Sequence, residues 1–135
     1  MDQEIKTAWV TALRSGEYKQ AQGFLKRGYD DGSVNYCCLG VLCEVVKNFG
    51  IEFNSEVNLL AYDAGTYTTY DGQQGSLPME VSGRADISPN GQFVGVVAYE
   101  SPNDGKTYDA NSLVDLNDSA KWNFDKIADM IEEKF

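Results

Sequence analysis

Between Cys37 and Gly50 the apolar residues Leu39, Leu42, Val45, Val46 and Phe49 recur at helical spacing, and Cys38 and Val41 widen the stripe. So broad a stripe cannot face water on any side. It predicts a helix that begins near Cys37 or Cys38, ends before Gly50 and lies at the centre of the molecule. With 135 residues in all, the rest of the chain is enough for one domain, 1–135, wrapped around that helix.

The flanking segments supply the wrapping. A first helix runs from about Asp2 to Ser15, with Ile5, Trp9, Ala12 and Leu13 on one face. Asp2 and Glu4 suit its first turn, and Gly16 stops it. Tyr18 to Leu25 reads as an irregular strand. Phe24–Arg27 and Val34–Tyr36 read as the arms of a hairpin turning at Asp30-Asp31-Gly32. Residues 51–76 read as β, with Val57, Leu59 and Ala61 alternating with Asn58, Leu60 and Tyr62, followed by the Thr- and Tyr-rich run Thr66–Tyr70. Pro78 opens a short helix through Val81, ended by Gly83. Gln92 to Tyr99 is the clearest strand, and a short helical piece covers Leu113 to Leu116. A last helix runs from Phe124 to about Lys134 behind the N-cap Asn123. The order predicts a single α+β domain with three main helices packed on a small antiparallel sheet. Trp9, Leu13, Leu39, Leu42, Leu116, Ile127 and Ile131 should share its core.

Composition narrows the chemistry. The chain has no His, which removes Ser-His-Asp triads, Cys-His pairs and imidazole metal ligands. Its formal charge is −10, carried wholly by residues 51–135 with five bases and 15 acids; residues 1–50 balance at six of each. This argues against non-specific nucleic-acid binding and against anionic membranes. It permits a basic protein partner, or an acidic face that imitates nucleic acid. The polar first residues do not read as a signal peptide, and the apolar stretch Tyr36–Cys43 is too short to span a bilayer. Three Cys, two of them adjacent, make a poor disulfide framework and point to a reducing cytoplasm.

Three groups of residues are candidates for chemistry or binding. Cys37, Cys38 and Cys43 lie at or inside a helix start, where the dipole favours thiolate, but their apolar neighbours disfavour it. No CxxC pair is present for zinc, and no metal or cofactor is expected. Arg14, Lys19, Lys26 and Arg27, with Tyr18, Gln20 and the nearby Tyr29, form the one basic and aromatic cluster, suited to an anion or a nucleotide if the hairpin folds onto the first helix. Asp118, Asp125, Asp129 and Glu132 crowd the C-terminus as a candidate acidic partner-binding face. Neither a Walker nor a dinucleotide glycine pattern occurs.

The segments Trp9-Val10, Ala12-Leu13-Arg14-Ser15-Gly16-Glu17-Tyr18-Lys19-Gln20 and Tyr36-Cys37-Cys38-Leu39-Gly40-Val41-Leu42-Cys43 resemble a family of small uncharacterised proteins common in bacteriophage and prophage genomes. Leu77-Pro78, Val81, Leu113, Leu116-Asn117-Asp118, Phe124, Ile127-Ala128-Asp129 and Ile131-Glu132 extend the match. Residues 51–76 and 84–110 do not match, and Ala21 stands where the family usually has Gly. Much of the shared pattern reads as core. Asn117-Asp118 orients the last turns, and Arg14, Glu17, Lys19 and Gln20 are the polar remainder. The resemblance implies a non-catalytic phage accessory protein that works in the host bacterial cytoplasm and counters host defence by binding a host protein or a small nucleotide signal. The alternatives are a small enzyme using a Cys or a carboxylate, and an acidic DNA-mimic inhibitor of a host nucleic-acid-binding protein.

Overall fold

The computed structural model describes all 135 residues. Helix α1 (Gln3–Arg14) starts at Asp2, whose carboxylate accepts the Ile5 N–H at 3.0 Å, and buries Ile5, Trp9, Val10 and Leu13. Helix α2 (Cys38–Val46) is the central helix. Every residue in it is buried except Glu44, and it continues through a 3-10 turn (Lys47–Phe49) to stop at Gly50. Its N-cap is unusual in chemistry: the Cys37 sulfur accepts the Gly40 N–H at 3.4 Å. Gly40 is needed because a Cβ there would collide with the Leu25 carbonyl oxygen, so its absence lets α2 lie directly on the chain entering the sheet.

That sheet has five strands: β1 (Lys19–Gln20), β2 (Lys26–Gly28), β3 (Val34–Tyr36), β4 (Ser55–Leu59) and β5 (Thr66–Tyr70), in the order β1-β3-β2-β5-β4. The expected hairpin is β2–β3. The sheet is mixed, however, not antiparallel, because β1 runs parallel to β3. A two-residue segment carries no alternation from which a direction can be read. A separate two-stranded ribbon pairs β6 (Gln92–Glu100) with β7 (Thr107–Ser112). β7 was not expected, since Asp109 and Asn111 are poor strand formers; its pairing with β6 overrides local preference.

Five helices, not three, complete the domain. Helix α3 (Met79–Ala85) passes through Gly83 and stops at Asp86, which is left-handed at φ 56°; Pro78 is its N-cap rather than its first residue. Helix α4 (Leu113–Asp118) and helix α5 (Phe124–Lys134) follow, capped by Ser112 and Asn123. One hydrophobic cluster joins α1, α2, α4 and α5, and all seven expected core residues belong to it.

A buried polar hub locks α4 to the sheet and α2. The Asn117 side chain is 1% exposed. Its oxygen accepts the Cys38 N–H at 3.1 Å and the Gln20 amide at 2.9 Å, and its nitrogen donates to the Ala21 carbonyl and to Asp118, both at 2.8 Å. Asp118 in turn accepts the Gly23 N–H at 3.0 Å, and Trp9 donates to the Cys38 carbonyl at 2.9 Å. Buried hydrogen bonding therefore gives Gln20, Asn117 and Asp118 a structural role.

Candidate functional site

Pairing register sorts the sheet's side chains into two faces, because successive residues point opposite ways. Tyr36, Lys26, Thr68 and Val57 stand in one row across β3, β2, β5 and β4. Two residues beyond Thr68, the Tyr70 hydroxyl donates to Glu44 of α2 at 2.9 Å, so this face is turned toward α2. The alternate row, Lys19–Asn35–Arg27–Tyr67–Asn58, crosses all five strands on the opposite face. Lys19 is exposed and the other four are half-buried.

The second row has a planar, cationic character. Tyr67 stacks with Phe24 at a centroid distance of 5.2 Å, and the Arg27 guanidinium lies 4.6 Å from the Tyr29 ring centroid. Arg27 donates through Nη2 to Asp63 at 3.0 Å and to the Ala64 carbonyl at 3.4 Å, while its Nε is buried with no partner. A buried, unpaired guanidinium donor is costly and leaves one hydrogen bond to be satisfied. Asn35 donates to the Gln20 carbonyl at 3.2 Å.

The residues Arg14, Tyr18, Lys19, Gln20, Lys26 and Arg27, expected to gather an anion, are distributed over four places. Arg14 bridges α1 to α5, reaching Glu132 at 2.9 Å and Asp129 at 2.6 Å; these bonds raise its own pKa and hold the Glu132 carboxyl below its usual range. Gln20 belongs to the Asn117 hub and also donates to the Trp122 carbonyl at 2.7 Å. Tyr18 and Lys26 meet at Tyr36 on the α2 side of the sheet, Tyr18 edge-on at 5.3 Å and Lys26 at 5.8 Å from the ring. Lys19 and Arg27 flank Asn35 on the open face. The register also places Asn35, Tyr67 and Asn58 in that row, and the rings of Phe24 and Tyr29 adjoin it. All of these except Tyr29 lie outside the set expected from the sequence. The signal was the shared strand parity of Lys19, Arg27, Asn35 and Tyr67, which becomes readable only once the pairing is known.

Of the four expected acids, Asp129 and Glu132 hold Arg14 and Asp118 holds Gly23, leaving Asp125 exposed in the first turn of α5. A groove of about 490 Å³ runs between α1 and α5 past Lys6, Val10 and Arg14, but both of its cations already reach Glu132.

The three cysteines are free and buried. Burial pushes the Cys37 thiol up to about 12 and raises Cys38 and Cys43 well above the usual thiol value. Burial likewise pushes Tyr36 up to about 12. Tyr70 is raised by burial, then by the charge of Glu44, which also pairs with Lys47 at 2.7 Å. No group of three or more Cys, Asp or Glu side chains is placed to hold a metal ion. No helix is long and apolar enough to cross a membrane.

These features define a class: a small α+β domain with buried thiols and a polar, aromatic sheet face open to solvent. A family model described as "Domain of unknown function (DUF8296)" matches residues 1–135, and the chain belongs to that family. No curated protein and no solved structure matches it.

Proposed function

We propose that this is a non-catalytic binding protein of bacteriophage origin, that it works in the host bacterial cytoplasm, and that it holds a nucleotide signal of the host's defence on the open face of its sheet. The observation that carries the reading is the row Lys19–Asn35–Arg27–Tyr67–Asn58, which sets two cations and an aromatic ring on one open sheet face. Sheet faces that bear aromatic rings and cations bind unpaired bases by stacking, with the cations taking the phosphates. Here a base would stack at Tyr67 and Phe24, a phosphate would take Lys19 and the Arg27 Nη2 that Asp63 holds, and Asn35 and Asn58 offer amides for base edges. Binding requires Asp63, 71% exposed, to swing off Arg27. The overall charge of −10 favours a small nucleotide over a long nucleic acid, since it repels an extended phosphate backbone. Burial of all three thiols supports binding over thiol-based catalysis.

A second reading, capture of a basic host protein, is favoured by the β6–β7 ribbon, which exposes Val94 (92%) and Val96 (62%) and also carries the exposed acids Glu100, Asp104 and Asp109.

Amide NMR separates the two. Titration with a panel of ribonucleotides and cyclic dinucleotides is expected to shift residues 19, 27, 35, 58 and 67. Shifts confined to 94–109 on addition of host lysate proteins, with none from any nucleotide, would replace the nucleotide reading by the protein one.

A further inference from the structure

We propose that two copies of this chain pair through β4, joining their five-stranded sheets into one of ten strands. The inference does not depend on the nucleotide reading. β4 lies at the sheet edge with no strand on its other side, and four of its five residues are exposed. Leu60 donates its N–H to the Gly65 carbonyl and the Asn54 carbonyl accepts the Asp71 N–H, so the even-numbered residues turn their backbone groups toward β5. Ser55, Val57 and Leu59 therefore present theirs outward.

That outward set is self-complementary about Val57. In an antiparallel pair centred there, Val57 faces Val57 of the second copy and Ser55 faces Leu59, each as a hydrogen-bonded pair, giving on the order of six backbone hydrogen bonds. The same register sets Glu56 opposite Asn58, so no like charges meet. Centring on Glu56 instead would oppose two carboxylates. The apolar side chains this would cover are unusually bare: Val57 is 70% and Leu59 84% exposed, and Tyr62 just beyond the strand is fully exposed.

The other sheet edges are poorer templates. β1 has two residues. β6 is broken by a register shift between Gln92 and Val97, with Gly95 at φ 84°. Bulges of this kind twist an edge away from pairing. On β7, the outward positions include Asp109. A two-fold axis at Val57 stands perpendicular to the sheet, so both Lys19–Asn58 rows come to lie on one face, with Glu56 of the second copy adjoining Asn58.

Sedimentation equilibrium tests this. Each copy carries −10, so association should strengthen as salt rises from about 50 mM to about 500 mM, with the mass moving from 14.9 kDa toward twice that. Val57→Lys sets two ammonium groups face to face and is expected to remain monomeric; circular dichroism checks that it folds. Asn58→Lys places a cation opposite Glu56 twice and is expected to tighten the dimer about fivefold. Asn103→Lys, the same charge change in the β6–β7 loop, should have a smaller effect. A wild-type protein that stays at 14.9 kDa at about 1 mM and high salt, a dimer untouched by a folded Val57→Lys, or an Asn58→Lys no tighter than Asn103→Lys would overturn the proposal.

Discussion

Replacing Asn117 by alanine removes one side chain that makes four hydrogen bonds at 2.8–3.1 Å. Two of the four partners have somewhere else to go: Gln20 keeps the Trp122 carbonyl and Asp118 keeps the Gly23 N–H. The other two, the Cys38 N–H and the Ala21 carbonyl, belong to buried residues and are left without the partner Asn117 gave them. Each orphaned buried group costs about 1–3 kcal/mol, so the loss should be about 4 kcal/mol. That is a large part of the roughly 5–15 kcal/mol that holds a domain of this size together, and it corresponds to a fall in Tm of about 15 °C. Urea unfolding followed by the fluorescence of buried Trp9 measures it. Asn117→Asp offers a control of sign. A carboxylate would face the Ala21 carbonyl and Asp118 with no proton to donate, so this variant should be at least as unstable at neutral pH. Relative to the wild type it should recover as the pH falls and the carboxyl regains a donor. A loss below about 1 kcal/mol for Asn117→Ala would refute the hub as the link between α4, α2 and the sheet.

Gly40→Ala should destabilise by about 3 kcal/mol in the same assay, because its Cβ meets backbone rather than a side chain that can move. In a spectrophotometric titration, Tyr36 should ionise near pH 12 and Tyr70 later still. Because both are raised above their unfolded values, the stability they contribute is present below pH 10 and is lost as the pH climbs beyond it; Tyr70→Phe should remove the latest-titrating ring. A thiol reagent at neutral pH should modify none of the three cysteines in the native protein and all three in denaturant, whereas one fast native thiol would revive the enzyme reading.

What the sequence made legible was what hydrophobic period and capping chemistry encode. The stripe from Leu39 to Phe49, the Asn123 cap and the Asp30-Asp31-Gly32 turn specify elements by themselves, and the elements formed there. Direction and partnership lay elsewhere. β1 is too short to reveal that it runs parallel to β3, and β7 forms on the template of β6 despite Asp109 and Asn111. The basic residues clustered in sequence because two strands successive in the chain and a helix end carry them. Strand parity then sent Lys26 and Arg27 to opposite faces, and the acids of α5 claimed Arg14. Gln20 looked like polar remainder and Asn117 like an organiser of nearby turns, because the buried hub joins residues 97 positions apart, a separation that no local pattern signals.

Isothermal titration of the wild-type protein and of Tyr67→Ala with nucleotides and cyclic dinucleotides puts the open sheet face to the most direct test. At least one of these should bind the wild type and lose about tenfold or more with Tyr67→Ala, as removal of a stacking ring requires, and a further loss should follow when Arg27→Ala is added. Binding that is indifferent to both substitutions, or heat from none of the compounds, would contradict the account.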